Sequence, residues 1–300
     1  MKITAPGRIV GGLHVCCAGH GGPVVVLEAG IAASSLSWAL VQPRVAEFTR
    51  VLSYDRAGFG WSAEGACSGT ALDSANALAR LLEQSGEPGP YILVGHSFGG
   101  LIARVFEQRF PDKVAGMVLV DPVIRDEWRD LTEAKRRMLA RGTMLSRRGA
   151  LLARMGIVRI ALKLLASGSR RIPRFLARVS AGNAASVTDR LADQIRKLPR
   201  EHWPAIAQHW SQSRSFRAMA DNLEGLPISA AQVAEGRSLR DLPVVILSAA
   251  KAISEHERDA RLSSRGEHIV VPDSGHWMHL DAPDAVVNAI RRMVTQVRAQ

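Results

Sequence analysis

The chain is 300 residues long, 47% of them hydrophobic, and it carries a formal net charge of +11. This length and hydrophobic content allow a large buried core and exclude a disordered chain. The chain has no stretch of about 18 uncharged apolar residues, and residues 1–6 have no apolar leader. We therefore expect neither a membrane-spanning helix nor a secretory signal.

The three cysteines are Cys16, Cys17 and Cys67. An odd number of cysteines without a C-x-x-C pair is not typical of a disulfide framework. We therefore expect reduced thiols in a cytoplasmic protein.

The positive charge is concentrated in one part of the chain. Residues 122–237 contain 22 Lys and Arg against 10 Asp and Glu, whereas the remainder contains 17 against 18. Such a shift in composition indicates a domain boundary. We predict a core formed by residues 1–121 and 238–300, with residues 122–237 inserted as a separate helical cap.

Short apolar runs alternate with segments of helical spacing along the first 121 residues. Residues 8–18 are typical of a β-hairpin with Gly11-Gly12 at its turn. Further strands are predicted over residues 24–28, 51–55, 91–94 and 114–120, and helices over residues 37–48, 70–85 and 101–110. This alternation favours βαβ units and a mostly parallel, doubly wound α/β sheet.

The alternation stops at Pro122 and resumes near the C-terminus. Residues 122–237 show several helical stretches and no convincing strand. Strands are then predicted over residues 242–248 and 268–272, followed by a helix over 284–298 with Pro283 at its start. The whole pattern predicts an α/β fold with an inserted helical cap.

A G-x-S-x-G motif lies between a predicted strand and a predicted helix, in the run Gly95-His96-Ser97-Phe98-Gly99-Gly100. A sharp turn in that context exposes the serine hydroxyl above the sheet, and the glycines remove Cβ atoms that would collide there. The motif predicts that Ser97 is a nucleophile.

A serine hydroxyl needs an adjacent base, usually histidine, because the pKa of histidine lies near neutrality. His276 is the preferred candidate, since it lies in the loop after the last predicted strand. His279, three residues later, is the local alternative. His96 lies inside the turn itself and is interpreted as structural.

Several segments together resemble the α/β-hydrolase superfamily, in its esterase, peroxidase-like and C–C hydrolase branch with a helical cap. The segments are Gly30 after a buried strand, residues 55–62 (Asp-Arg-Ala-Gly-Phe-Gly-Trp-Ser), the serine motif, residues 119–122 (Leu-Val-Asp-Pro), and Ser274-Gly275-His276. Haloalkane dehalogenases and epoxide hydrolases are similar, but they have aspartate at the nucleophile position. Ser97 therefore favours an acyl-serine intermediate.

The resemblance also implies an oxyanion hole made of two backbone N–H groups. One is the amide of Phe98, directly after the nucleophile. The other is the amide of Ile31, in the loop after the predicted strand 24–28. Glu28-Ala29 here replaces the apolar-histidine pair that is more common in relatives.

A serine and histidine pair of this kind also needs a carboxylate, which completes a catalytic triad. The usual position for this acid, after the predicted strand 242–248, carries no carboxylate here. In some relatives the acid follows the preceding strand, and Asp121 holds that position here. Glu255 is the first alternative, followed by Glu257 and Asp259. We predict Asp121, which would orient His276 and stabilise its charged form.

Other features are interpreted as structural or as pocket-forming. Asp55 and Arg56 are predicted to form an ion pair that shapes a loop beside the pocket. Neither a dinucleotide or phosphate loop nor a metal-ligand cluster is recognisable, so no cofactor is expected. Four aromatic residues are candidates for lining an apolar pocket: Trp38, Phe59, Trp61 and Trp277.

Residues 150–166 have the pattern of a basic amphipathic helix, which has three interpretations. It covers the pocket with its arginines in water, it attracts an acidic substrate, or it lies on an anionic membrane surface. No recognised motif indicates nucleic-acid binding.

These features predict a cofactor-independent serine hydrolase acting on a small or medium-sized carboxylic ester. The alternatives are a C–C bond hydrolase or perhydrolase with the same residues, and a non-catalytic ligand-binding protein on the same scaffold. The oligomeric state does not follow from the sequence.

Overall fold

A computed structural model describes residues 5–65, 69–166, 193–233, 237–250 and 253–300. The prediction for Cys67, and the part of the predicted cap over residues 167–192, lie outside these ranges. Cys16 and Cys17 are free thiols. Burial is the main cause that raises the pKa of the Cys17 thiol to about 11, so this thiol stays protonated at neutral pH.

The core is a single eight-stranded sheet with the strand order β1-β2-β4-β3-β5-β6-β7-β8. The first two strands form the predicted hairpin and pair antiparallel, and every pair from β4 to β8 is parallel. The mostly parallel α/β sheet predicted from the sequence is therefore confirmed. The strands are β1 (Arg8–Val10), β2 (Leu13–Ala18), β3 (Val25–Glu28), β4 (Val51–Tyr54), β5 (Tyr91–His96), β6 (Val114–Val120), β7 (Val244–Ser248) and β8 (Gly266–Val270).

Helices cover both faces of the sheet, which is why its central strands are apolar throughout rather than alternating. One face packs against α2 (Ala71–Ser85) and α3 (Phe98–Arg109). The other packs against α1 (Gln42–Val45) and the C-terminal helix α11 (Pro283–Arg298). All four residues of β3, for example, are buried.

The described part of residues 122–237 is helical and contains no strand. The helix α8 (Ser213–Gln232) packs against α4 (Arg125–Arg129) and α5 (Glu133–Arg154) within the insertion and against α2 and α3 of the core. The helices of this part are α4 (Arg125–Arg129), α5 (Glu133–Arg154), α6 (Ile157–Ala166), α7 (Trp203–Trp210) and α8 (Ser213–Gln232). In the described ranges, no helix is both long and apolar enough to cross a membrane.

Two predicted helices were wrong in their extent. The helix expected over residues 37–48 is a 3-10 turn (Ser35–Trp38) followed by the short α1, which starts with Pro43 in its first turn. The basic helix expected over residues 150–166 is split between α5 and α6. Gly156 breaks it with φ +77°, a backbone angle that a right-handed helix does not allow.

Two short helices complete the C-terminal part of the core. The helix α9 (Ile253–Ala260) connects β7 to β8, and α10 (Met278–Asp281) precedes α11. Since β5, β6, β7 and β8 are neighbouring parallel strands, the segments that follow them emerge at one edge of the sheet. Ser97, Asp121, and the loop that contains His276 therefore meet at that edge.

Candidate active site

Ser97 lies in a strained turn between β5 and α3. Its backbone angles are φ 53° and ψ −116°, a conformation that non-glycine residues rarely adopt. A Cβ on Gly95 would collide with the carbonyl of Gly99, and a Cβ on Gly99 would collide with the carbonyl of Glu28. Both glycines are therefore required for the close approach of β5, α3 and the loop after β3. The helix α3 starts three residues earlier than predicted, directly after Ser97.

Ser97, His276 and Asp121 are joined by hydrogen bonds in that order. The distance between His276 Nε2 and Ser97 Oγ is 3.0 Å, and the distance between His276 Nδ1 and Asp121 Oδ2 is 2.6 Å. With Nδ1 protonated, His276 donates to Asp121 and its Nε2 can accept the serine proton. The structure therefore brings together the three side chains predicted as a triad.

Asp121 follows β6 with φ 41°, a left-handed conformation that aspartate tolerates better than most residues. Its Oδ1 accepts a hydrogen bond from the backbone N–H of Ala249 at 3.1 Å. Ala249 belongs to the loop where the sequence lacks the more usual acid. That loop thus orients the carboxylate of Asp121 with a main-chain donor.

The alternative acids lie on α9 and have other partners. Glu255 Oε2 accepts a hydrogen bond from Ser254, Glu257 pairs with Arg261, and Asp259 pairs with Arg104. In the described ranges, Asp121 is the carboxylate that bonds to His276.

The two other histidines near the site are buried. The backbone carbonyl of His276 accepts a hydrogen bond from His96 Nε2 at 2.8 Å, which fixes the loop carrying His276. His279 packs between the rings of His96 and Trp38, with ring centroids 4.4 Å and 4.8 Å away. Burial, and then the neighbouring His276, lower the pKa of His279 to about 3. Both therefore pack around His276, and it is His276 that hydrogen-bonds to Ser97 Oγ in the described ranges.

The loop after β3 lies directly on the serine turn. A Cβ on Gly30 would come within 3.4 Å of Ser97 Cβ, so the loop that carries Ile31 approaches the nucleophile closely. Phe98 is the first residue of α3, where backbone N–H groups have no partner within the helix. The two predicted oxyanion amides thus come from two segments that converge on Ser97.

Arg56 holds this loop from behind. Its guanidinium donates to the carbonyls of Ala29 and Gly30 at 2.5 Å and 2.6 Å, and it pairs with Glu28 at 2.5 Å. The hydroxyl of Tyr54 donates to the same carboxylate. Burial raises the pKa of Glu28, whereas the positive charge of Arg56 opposes that shift. This contact was not predicted from the sequence, although a glutamate at the end of an apolar strand was a visible signal.

The predicted ion pair between Asp55 and Arg56 was wrong. Asp55 pairs with His14 at 2.9 Å and accepts backbone hydrogen bonds from Ser35 and Trp61. Burial opposes ionisation of Asp55, but His14 and the two backbone donors together outweigh it and lower the pKa of this carboxyl. Because the side chains of Asp55 and Arg56 have different partners, they fix two separate loops near the cavity.

A cavity of about 240 Å³ lies between the core and the helical insertion. Two of the four predicted aromatic residues, Phe59 and Trp277, line it, whereas Trp38 is packed in the core below. Trp61 packs edge-on against a cavity residue, His209, with centroids 4.3 Å apart. The cavity residues from the insertion were not predicted from the sequence, because helical spacing does not show which face of a helix meets a distant loop. Apolar lining residues include Ile31, Leu36, Ile195, Leu198, Ile206, Trp210, Met219 and Leu280.

Comparison with known proteins places this geometry in a family. A sequence profile described as "Alpha/beta hydrolase family" matches residues 17–289. The lipase LipV of Mycobacterium tuberculosis is 35% identical over 129 residues, which cover 43% of this chain and 48% of the lipase. The chain spans less than half the length of the curated relatives it matches.

Solved structures show the same fold over nearly the whole chain. A thermophilic esterase from Thermogutta terrifontis superimposes with a TM-score of 0.64 and 24% identity, covering 95% of this chain and 93% of the esterase. The epoxide hydrolase CorEH superimposes with a TM-score of 0.70 and 19% identity, covering 97% and 98%. The profile match over residues 17–289 and the eight-stranded sheet together show that this chain belongs to the alpha/beta hydrolase family.

Proposed function

We propose that the protein is a serine hydrolase that cleaves carboxylic esters through an acyl-serine intermediate. The observation that carries this proposal is the chain of hydrogen bonds from Ser97 through His276 to Asp121. A hydroxyl within 3.0 Å of an imidazole nitrogen is activated when that imidazole is in turn oriented by a carboxylate.

The reaction follows from this geometry in two steps. Ser97 Oγ attacks the ester carbonyl while His276 Nε2 takes its proton, and the same proton then passes to the leaving alcohol. Water next attacks the acyl-serine, again with His276 as base, and releases the carboxylic acid. Asp121 stabilises the imidazolium that forms in each step.

The negative charge on the carbonyl oxygen needs donors that are already in position. The amides of Ile31 and Phe98 are proposed to supply them, because both segments adjoin Ser97 and both amides belong to the rigid main chain. One such donor is worth about 10²–10³ in turnover. Glu28 and Ala29 stand where the apolar-histidine pair is more common, before Ile31. This replacement leaves the donor unaffected, because the donor is a main-chain N–H group.

The cavity beside the proposed catalytic residues is lined by Ile31 and by Trp277, which follows His276, and it favours an ester whose acyl or alcohol part is apolar and small to medium in size. Its volume of about 240 Å³ is mostly bounded by aliphatic and aromatic side chains. The relatives named lipase and esterase are consistent with this substrate class.

The direct test is hydrolysis of p-nitrophenyl esters of increasing chain length by the wild type and by Ser97→Ala. We expect Ser97→Ala to lose activity by about 10⁴-fold or more, because neither His276 nor Asp121 is placed to attack the carbonyl instead. Ser34→Ala is the matched control, since Ser34 is a serine that lines the cavity and its hydroxyl makes no hydrogen bond among the described residues.

Labelling by a fluorophosphonate separates the enzyme from a ligand-binding protein on the same scaffold. An activated Ser97 reacts with the probe, and the adduct maps to the peptide that contains it. Absence of labelling in the folded wild-type protein, or full ester turnover by Ser97→Ala, would refute the proposed mechanism.

A further inference from the structure

The long helix α5 of the insertion has two different sides. Its buried positions recur every three or four residues and face the protein, namely Leu139, Thr143, Ser146, Ala150 and Ala153. The opposite side carries exposed residues at the same spacing, three of them arginine and three large and apolar. We call this set, together with the residue that ends the helix, the α5 stripe: Arg137, Arg141, Met144, Arg148, Leu151 and the C-cap Met155.

The apolar members of the stripe are unusually exposed. Met144, Leu151 and Met155 have 43%, 58% and 56% of their surface accessible. Ile160, on the following helix α6, is 60% exposed. Clustered side chains of this size are costly in water, so such a patch marks an interaction site more often than isolated apolar residues do.

The stripe is also strongly basic. Residues 133–166 contain nine Lys and Arg and a single acidic residue, Glu133. Glu133 pairs with Arg137 at 2.8 Å. Arg141 and Arg148 have no acidic partner among the residues that the structure describes. Two guanidinium groups in the stripe are therefore available to an anionic partner.

A groove of about 750 Å³ runs beside the stripe. Leu139, Met144 and Leu151 provide apolar walls, and Arg136 and Arg148 line the same groove. Apolar walls next to guanidinium groups suit an acyl chain that ends in an anionic headgroup.

We propose that the α5 stripe docks the protein onto a bilayer that contains anionic lipid. The arginines bind headgroup phosphates, while Met144, Leu151 and Met155 enter the boundary between headgroups and acyl chains. A second copy of this chain fits the stripe poorly, because two arginine-rich faces repel each other. A nucleic acid would satisfy the arginines but leave the apolar side chains in water. The docking is independent of the proposed hydrolase activity.

Co-sedimentation with large unilamellar vesicles tests this docking. We expect wild-type protein to bind vesicles of phosphatidylcholine and phosphatidylglycerol in equal amounts, and to bind phosphatidylcholine alone only weakly. Raising the salt concentration should weaken the binding, because salt screens the attraction between arginine and headgroup.

Two double variants separate the charged from the apolar part of the stripe. Arg141→Gln with Arg148→Gln should weaken binding to the anionic vesicles about 25-fold, at about fivefold for each arginine. Leu151→Ser with Met155→Ser should weaken it at least about tenfold. Arg80→Gln with Arg109→Gln removes the same charge from exposed sites on α2 and α3, and Ile9→Ser replaces another exposed apolar residue. Both controls should bind like the wild type.

Turnover of a soluble ester is measured on every variant, so that loss of fold or of hydrolase activity is seen separately from loss of docking. Equal binding to neutral and anionic vesicles, or wild-type binding by either stripe variant, overturns the proposal. So does a dimer on size-exclusion chromatography that Leu151→Ser with Met155→Ser dissociates. Tight oligonucleotide binding that requires Arg141 and Arg148, without any vesicle binding, also overturns it.

Discussion

Asp121 shows how a single residue can combine a backbone role with a chemical one. Its left-handed conformation, φ 41°, turns the chain away from β6 and directs the carboxylate towards His276. Ala249 then donates to the other carboxylate oxygen. The carboxylate therefore has one oxygen fixed by the main chain and one available to the imidazole.

Exchange of the acid tests this assignment. Asp121→Asn should lower the turnover of p-nitrophenyl esters by about 10⁴-fold, because an amide cannot stabilise the imidazolium and favours the wrong tautomer of His276. Glu255→Gln should change turnover by less than about twofold, since the carboxylate of Glu255 bonds to Ser254 and not to His276. Loss of activity in Glu255→Gln alone would reverse the assignment.

His279 makes a specific contribution to the pH dependence of stability. It is neutral in the folded protein, where burial and His276 lower its pKa to about 3 from 6.5. Below pH 6.5 the unfolded chain binds a proton that the folded protein does not, so the free energy of unfolding falls as the pH is lowered towards 3. The contribution is fully present above pH 6.5.

The variant His279→Gln should remove this dependence. Between pH 7 and pH 5 the free energy of unfolding should fall by about 2 kcal/mol less than in the wild type. Urea unfolding at the two pH values measures the difference. His20→Gln, at an exposed loop position, serves as the control and should follow the wild type. An unchanged slope in His279→Gln would show that this histidine is already accessible to protons in the folded state.

At the scale of elements, the loop after β3 is held by a side chain from another segment of the chain. It carries Ile31, yet its position depends on Arg56 from the segment after β4, which bonds to two of its carbonyls. Parallel pairing of β3 with β4 brings the two segments side by side. Arg56 is thus a positioning residue for the proposed oxyanion hole.

Replacing Arg56 by lysine tests that role. An ammonium group can keep the charge pair with Glu28, but it cannot reproduce the planar fork that reaches both carbonyls. We expect Arg56→Lys to lower kcat by about 10- to 100-fold with little change in KM, since the proposed oxyanion hole would act on the transition state. Arg214→Lys is the matched control, because Arg214 bonds in the same way to the carbonyls of Ser62 and Gly60. A change confined to KM or to the melting temperature would contradict the positioning role.

The elements differ in how far sequence predicts them. Central strands such as β6, which matched its predicted range of residues 114–120, are continuous apolar runs with one interpretation. The helix predicted over residues 37–48, after β3, was wrong in its extent. Over a single turn, the spacing of apolar residues does not distinguish a 3-10 helix from an α-helix. The break in the basic helix depends on one residue, Gly156, whose positive φ the pattern of apolar positions does not reveal.

At the scale of the whole molecule, the order of motifs along the chain predicted the fold and the three side chains that the structure joins by hydrogen bonds, Ser97, His276 and Asp121. Strand order made this possible, because parallel neighbours present their following segments at one edge. The sequence did not predict which side chains hold the loops around these three residues. Arg56 and Glu28 are 28 positions apart, and Arg214 is 152 positions from Ser62, so no local pattern connects them.

The wide separation of the three proposed catalytic residues has a consequence for the growing polypeptide. Ser97 and His276 are 179 residues apart, and the helical insertion lies between them. At 5–20 residues per second, a ribosome needs roughly 10–40 s to pass from one to the other. During that interval a nascent chain can already form the serine turn, but it has no base to activate the hydroxyl. On the proposed mechanism, the protein is therefore inert towards esters until its C-terminal segment has been synthesised.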